Sequence, residues 1–373
     1  MPRIKVLHVF KTYLPETIGG IEQVIRQLSL AGKALGIRSD ILTLCDKPSH
    51  VTRLDGQIIY AAHRDLDIAS TGISAAAIRM FNRIAPKYDI IHYHYPWPFG
   101  DLMALCNTQK KPCIVTYHSD IVKQRTLERL YRPLQQHFLK AMDRIVVTSP
   151  NYLASSKTLI PFKDKCEVIP IGADKASYPA AKAASLNKWR QLIKGDFFLF
   201  IGVLRYYKGL HTLLEAIKST SLTVVIAGSG PMNQKLRQQA EQLQLSNVYF
   251  LGQISETDKF SLLELCTAVV LPSHLRSEAF GVTLLEGAMY GKPLISCEIG
   301  TGTTFINKKD VTGLTIPPSN AEALRNAMKA IINDPEQSKQ LGSNALNHYQ
   351  QHFTVSAMCK AYSRLYNDLI IPN

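Results

Sequence analysis

Two carboxylates eight positions apart, Glu278 and Glu286, stand in the segment SEAFGVTLLEGAMYGKP, which follows the apolar run TAVVLPS. Glu278 falls in a loop, where a carboxylate can accept hydrogen bonds from sugar hydroxyls. Glu286 falls in the second turn of a helix opening near Gly281 and burying Val282, Leu285 and Met289 by i, i+3, i+7 spacing, which leaves Glu286 able to reach a ligand. A helical carboxylate can take both hydroxyls of a ribose, as an acidic residue does in dinucleotide sites. The plain alternative is two surface glutamates beside a core helix. Further upstream, FFLFIGVL runs directly into RYYKGLHTLLEAI and places Arg205 and Lys208 between a strand's carboxyl end and a helix. Two fixed cations beside the free amides of a helix N-terminus suit a diphosphate, and Gly209 allows close backbone approach; solvated loop charges would have the same spelling. LTVVIAG ends in Gly228-Ser229-Gly230-Pro231, a turn small enough to admit a nucleotide and equally a tight turn with Pro in the first helical turn.

The first half carries a different set. Gly19-Gly20-Ile21-Glu22 opens a helix after the first strand, DIIHYHYPWP ends with His92 and His94, and CIVTYHSD ends with His118 and Asp120. Alternation puts His92 and His94 on one side of their strand, where with Asp120 or His118 they could ligate a metal in a hydrolase, although no further His or Asp cluster completes such a site. Asp65-Leu66-Asp67 has the DxD form of metal-dependent transferases but precedes a helical segment in the first domain, away from the nucleotide half, and reads as a solvated turn.

The elements that must position these residues alternate along the chain. IKVLHVF, SDILTL, QIIYAA, DIIHYH, CIVTYH, DRIVVTS and CEVIPI alternate with helical patterns, the signature of βαβ units on a parallel sheet. The Ala-rich, polar stretch KASYPAAKAASLNKWRQLIKG reads as a domain connection, and a second series follows: FFLFIGVL, LTVVIAG, NVYFLG, TAVVLP, KPLISC and GLTIPP. The fold class is therefore α/β, with two doubly wound Rossmann-like domains facing a cleft. Residues 1–175 form the first domain, 176–350 the second, and 351–373 a C-terminal helix crossing back. Ligands in open α/β sheets bind beyond the carboxyl ends of the strands, where every residue named above lies.

Length and charge agree with this. The chain has 373 residues, 46% apolar and 19% charged, enough for two cores. Its net charge is +14, of which +9 lies in residues 1–175. An anionic partner follows: phosphorylated ligands or an anionic membrane surface, while the absence of Lys/Arg runs interleaved with aromatics argues against nucleic acid. Leu127, Leu130, Tyr131, Leu134 and Phe138 define one face of a helix whose other face carries Arg125, Arg129, Arg132 and Lys140, with Pro133 expected to kink or interrupt it. That pattern suits peripheral binding to anionic lipid, or an ordinary solvent-facing helix. The apolar start MPRIKVLHVF is broken too early for a signal peptide, and no segment reaches the roughly 18–20 apolar residues of a membrane span. Seven scattered cysteines without CxxC spacing read as reduced core residues of a cytosolic protein.

EAFGVTLLE, with seven residues between its glutamates, resembles the signature of retaining glycosyltransferase family 4, of GT-B fold. GVLRYYKG is similar to that family's Gly/Arg/Lys diphosphate motif, with Val203 where the family more often has its arginine and Arg205 two places on; positions two apart on a strand share a direction. The GG loop resembles the family's glycine-rich loop, and His118 matches its histidine at the donor sugar. The resemblance implies His118 and Glu278 as the catalytic pair that orients the donor sugar. It implies Gly19, Gly20, Arg205, Lys208, Gly228, Phe280, Gly281, Val282 and Glu286 as substrate-binding residues. The expected activity is transfer of a hexose with retention, mannose from GDP-mannose first and a UDP-sugar second, onto a glycan or lipid-linked acceptor in bacterial O-antigen assembly. A sugar-nucleotide hydrolase or epimerase of the same architecture, or a non-catalytic sugar-nucleotide-binding protein, is the different-class alternative. No metal or cofactor is expected, because a Lys/Arg clamp can itself neutralise the leaving diphosphate.

Overall fold

A computed structural model describes residues 4–17, 19–68, 71–106, 111–121, 125–175, 178 and 180–370, the side chains of residues 125–129 excepted. The chain divides into two compact units, residues 1–172 with 355–373 and residues 173–354. The first is discontinuous. Its sheet takes β1 (Ile4–Val9), β2 (Ile37–Cys45), β3 (His50–Leu54), β4 (Gln57–His63), β7 (Ile90–Tyr95), β8 (Cys113–Tyr117), β9 (Arg144–Val147) and β10 (Cys166–Val168), while β5 (Leu66–Ile68) and β6 (Thr71–Ile73) make a separate hairpin. The order is β10-β9-β8-β7-β1-β2-β4-β3, parallel except for β3. The apolar runs read from the sequence supply the parallel strands. The polar β3, HVTRL, is an exposed antiparallel edge, where a sheet tolerates such residues. The helices are α1 (Gly20–Gly32), α2 (Ala75–Ile84), α3 (Pro98–Leu105), α4 (Arg125–Ala141) and α5 (Pro150–Ser155).

The second unit orders its strands β13-β12-β11-β14-β15-β16, all parallel: β11 (Phe197–Ile201), β12 (Thr223–Ala227), β13 (Val248–Gly252), β14 (Ala268–Leu271), β15 (Leu294–Cys297) and β16 (Gly313–Ile316). Its helices are α6 (Ala183–Leu192), α7 (Leu210–Ile217), α8 (Asn233–Gln242), α9 (Glu256–Leu265), α10 (Val282–Met289), α11 (Thr303–Ile306), α12 (Ala321–Asn333) and α13 (Pro335–His352). The stretch read as a connection therefore holds α6, anchored by Trp189, whose indole N–H donates to Asp258 at 2.8 Å. After α13 the chain returns to the first unit as α14 (Val355–Ile370). Met358, Cys359, Tyr362, Leu365 and Tyr366 there join Val6, Val24, Leu28 and Ile90 in one core.

In each unit the strand order reverses beside a central strand, between β1 and β7 and between β11 and β14. Loops leaving neighbouring strands there diverge to opposite sides, which opens a crevice. Gly19 and Gly20 follow β1, and Lys208 and Glu278 follow β11 and β14.

Three surface expectations change. Helix α4 runs unbroken through Pro133, and Leu130, placed on its apolar face by spacing, is 80% exposed, while Phe138 is buried. Arg132 and Lys140 are exposed; Arg125, Leu127 and Arg129 lie outside the described side chains. Cys45, Cys266, Cys297 and Cys359 are buried, whereas Cys113 and Cys166 are half-buried and Cys106 is exposed, so core packing accounts for only four of the seven. Arg64 pairs with Asp46 and Asp67, which makes the DxD segment part of an ion-paired hairpin.

Candidate active site

In the second unit the chain leaves β11, makes a single 3₁₀ turn over Tyr206–Lys208, and enters α7. Gly209 joins the two at φ +71°, and a side chain there would place its Cβ 1.9 Å from the Pro272 carbonyl oxygen. The loop after β11 is thereby pressed against the loop after β14, and Lys208 meets Glu278. The ammonium bonds Glu278 Oε2, which also accepts from the Ser273 hydroxyl at 3.1 Å. Both side chains are about nine-tenths buried. Burial alone would lower the lysine, but the Glu278 carboxylate more than reverses this and holds Lys208 above its ordinary range. Arg205 begins the same turn and is exposed. A cation and a carboxylate are thus joined where the loops after β11 and β14 meet, one able to pair with an anion and the other to accept from hydroxyls.

Helix α10 departs from its expected faces. Val282 is half-exposed while every residue from Thr283 to Met289 is buried, Glu286 included. Glu286 does not project freely but bonds Lys259 of α9 at 2.9 Å, and Lys259 also holds Glu256 at 2.9 Å. Burial pushes the Glu286 carboxyl up against the pull of Lys259, whose ammonium is in turn held above its usual range by its two carboxylates. Lys259 was missed because lysine in ETDKFSLLEL carries no spacing signal toward a residue 27 positions away. Phe280 is buried and packs its ring edge-on against Phe353, with 6.2 Å between ring centroids. Gly281 caps α10, and Thr283 ties that end to β11 by donating to the Ile201 carbonyl at 2.8 Å. Gly228 has a packing reason to be glycine: a Cβ there would lie 2.0 Å from the Gly202 carbonyl oxygen.

In the first unit Gly19 and Gly20 open α1 as expected. A Cβ on Gly19 would meet the Glu22 carboxylate at 2.5 Å, whereas one on Gly20 would meet nothing within 4 Å. Open space at the first turn of a 13-residue helix is what a close-approaching anion requires.

His118 lies just past β8, buried, and its Nε2 bonds His94 Nδ1 at 3.1 Å. His94 Nε2 bonds His8 Nδ1 at 3.0 Å, and His8 Nε2 bonds the Ser39 hydroxyl at 3.2 Å. His92 stands apart from that chain, its nitrogens taken by the Tyr366 hydroxyl at 2.8 Å and Thr116 Oγ1 at 2.7 Å. The sequence reading names His118 beside His92 and His94 but finds no further His cluster; His8 is the addition, and with His118 it makes a group of four rings. Histidines near the carboxyl ends of three strands, KVLHVF, IIHYHY and VTYHSD, were the available signal. His8, His92 and His94 bring ligand nitrogens within 4.8 Å of one another. A metal does not fit them well, because every ring nitrogen of the three is already paired and the His92 and His94 rings stack at 4.3 Å rather than converge. Asp120 accepts from Tyr117 and Ser156 and belongs to a different network.

Family models agree with this arrangement of the two units. Residues 18–177 match the model described as Glycosyltransferase Family 4, and residues 185–348 the model described as Glycosyl transferases group 1. A D-rhamnosyltransferase of Pseudomonas aeruginosa is 49% identical over 94% of this chain and 92% of its own length. The O-antigen chain mannosyltransferase C of Escherichia coli is 47% identical over 98% and 99%. Among solved structures, sucrose-phosphate synthase from Thermosynechococcus elongatus superposes with a TM-score of 0.80 over 98% of this chain and 99% of that one, at 21% identity, a likeness of fold. With both halves matched and close relatives spanning nearly its whole length, the chain belongs to the family 4 and group 1 glycosyltransferases and has the GT-B fold.

Proposed function

We propose that this glycosyltransferase moves a hexose, mannose from GDP-mannose in the first instance, onto a lipid-linked or oligosaccharide acceptor in the assembly of bacterial O-antigen. The relatives named for mannosyl and D-rhamnosyl transfer support that choice of sugar. The observation that carries the reading is the Lys208–Glu278 pair at the strand-order reversal of the second unit. The ammonium takes the diphosphate and Glu278 turns to the sugar hydroxyls, while Glu286 serves the ribose and Arg205 adds charge at the phosphates. The bond from sugar carbon 1 to the diphosphate oxygen breaks, and the acceptor oxygen bonds that carbon on the same face. Its proton leaves on the departing diphosphate, and the configuration is retained. His118 is assigned to orienting the donor sugar.

A panel of nucleotide sugars tested by thermal stabilisation, followed by the anomeric configuration of the product, checks this reading. A GDP-sugar should stabilise and the product should keep the donor's anomeric form; stabilisation by UDP-sugars alone or an inverted product would overturn it. The cation pair takes the role of a metal at the leaving group, so excess EDTA should leave turnover unchanged. Loss on chelation with restoration by one divalent ion would contradict that. His118→Ala should lower turnover at least tenfold while GDP affinity stays near wild type, because the diphosphate anchors belong to the second unit. Wild-type turnover in the folded variant would remove His118 from the reaction. No helix among the described residues is long and apolar enough to cross a membrane. The basic surplus of the first 175 residues favours a cytoplasmic enzyme attached peripherally to anionic lipid, which sedimentation with anionic against neutral vesicles, at low and high salt, would test.

A further inference from the structure

The chain Ser39–His8–His94–His118 crosses four adjacent strands or their ends, from β2 through β1 and β7 to the end of β8. Neighbouring strands lie about 4.8 Å apart, a gap that an imidazole bonded at both nitrogens can span. Each neutral imidazole has one N–H and one lone pair, so the three rings must all point the same way. Only two arrangements satisfy the links. In one, Ser39 donates to His8, His8 Nδ1–H to His94 and His94 Nδ1–H to His118, which leaves His118 with an outward Nδ1–H. In the other every donor is reversed, and His118 presents an Nδ1 lone pair.

Ser39 decides between them. Its side chain is buried, and among the described residues its hydroxyl bonds His8 alone. In the reversed arrangement that hydroxyl hydrogen has no acceptor, a penalty paid only when the polar group is buried. In the first arrangement the hydroxyl donates to His8 and every link carries one proton. Among the described residues Nδ1 of His118 has no partner, so it is the end of the chain left for a ligand. We propose that Ser39, His8 and His94 are positioning residues that fix His118 as the Nδ1–H tautomer, a hydrogen-bond donor to an oxygen of the donor substrate. This rests on the reading that His118 meets the donor sugar. Burial supports it by holding the imidazoles of His8 and His118 down to about 3, so that each carries one proton rather than two at neutral pH. A free imidazole in water prefers the Nε2–H form, which makes the expected tautomer diagnostic.

The experiment is a two-dimensional proton–nitrogen spectrum of the whole protein labelled with 15N-histidine, with His118 assigned by the signals lost in His118→Ala. His118 should show a protonated Nδ1 and a bare Nε2, and His94 and His8 the same pattern. Ser39→Ala removes one oxygen. It should shift His118 toward Nε2–H and lower kcat about tenfold, the low end of what losing an outer-shell hydrogen bond costs at a metal-bound histidine, with GDP affinity unchanged. His94→Phe should do both more strongly; if it fails to fold, Ser39→Ala still gives both readouts. An Nε2–H tautomer on wild-type His118, or a spectrum and kcat unmoved by Ser39→Ala, overturns the proposal. Full turnover in His118→Ala alongside the expected tautomer overturns instead the service of this chain to the donor sugar, and with it the reading of His118 given above.

Discussion

Lys208→Ala should lower turnover about ten- to a hundredfold and take several degrees from the melting temperature. The two losses have different origins. Charge-assisted contacts contribute about 1.5–3 kcal/mol each, and a phosphate contact that strengthens as the diphosphate departs appears in kcat rather than in KM alone. The stability loss comes from the partner left behind. Glu278 is buried, and stripping a buried carboxylate of its cation costs about 3–5 kcal/mol. In a unit of this size that is on the order of 10 °C. The Ser273 hydroxyl still reaches Glu278 and moderates the loss. Adding Glu278→Gln to Lys208→Met removes the unpaired charge, so this double variant should melt near wild type and remain inactive. Calorimetry and initial rates on the same preparations separate the two effects, and wild-type rates in folded Lys208→Ala would eliminate the proposed diphosphate anchor.

Acidification should destabilise the first unit more steeply than the second. Burial pushes His8 and His118 down to about 3, and burial reinforced by neighbouring histidines holds His92 and His94 well below their ordinary value. The unfolded chain takes up a proton at each of these near pH 6.5, and the native chain does not. Stability is therefore fully present above pH 6.5 and falls as the pH drops toward 3, by about 1.4 kcal/mol per unit for each histidine. Asp101 works in the opposite direction, since burial raises it to about 8 and the native state then holds a proton that the unfolded state releases. Four groups against one leave a net loss of stability as the pH falls below 6.5, whereas in the second unit burial lowers His211, His274 and His348 by less. The two tryptophans report separately: Trp97 is buried in the first unit and Trp189 in the second. Fluorescence melts of single-tryptophan variants at pH 7.5 and 5.5 should show the Trp97 transition moving down much further. Equal shifts of the two would show that the histidine stack takes up protons without unfolding.

The parallel strands were legible because the central ones, buried on both faces, are short β-branched or aromatic runs bounded by turn residues, and FFLFI, TVVIA and AVVL carry that signal unmistakably. Strand-end residues follow from them, and so the sequence alone places Lys208 and Glu278 in loops at the carboxyl ends of two strands. Two kinds of feature were illegible. One is exposed structure set by tertiary context, such as the polar edge strand β3 and the helix α6 inside an Ala-rich stretch. The other is pairing across long separations in the chain: Lys259 with Glu286, His8 with His94, and Ser39 with His8 join elements that only the sheet order brings together. A hydrogen bond between strands leaves no periodicity in the sequence.

Tyr362 and Tyr366 on α14 deliver hydroxyls to Thr116 and His92, residues made some 250 positions earlier. On the ribosome this inverts the expected order of maturation. The second unit is one continuous stretch and can close as soon as residue 354 emerges, whereas the first, although synthesised earlier, must wait with its β1 and α1 face uncovered until α14 arrives. A nascent chain halted before residue 355 would therefore carry a finished second unit beside a first unit still open to chaperones and proteases. The second unit is thus complete while the first still waits for α14.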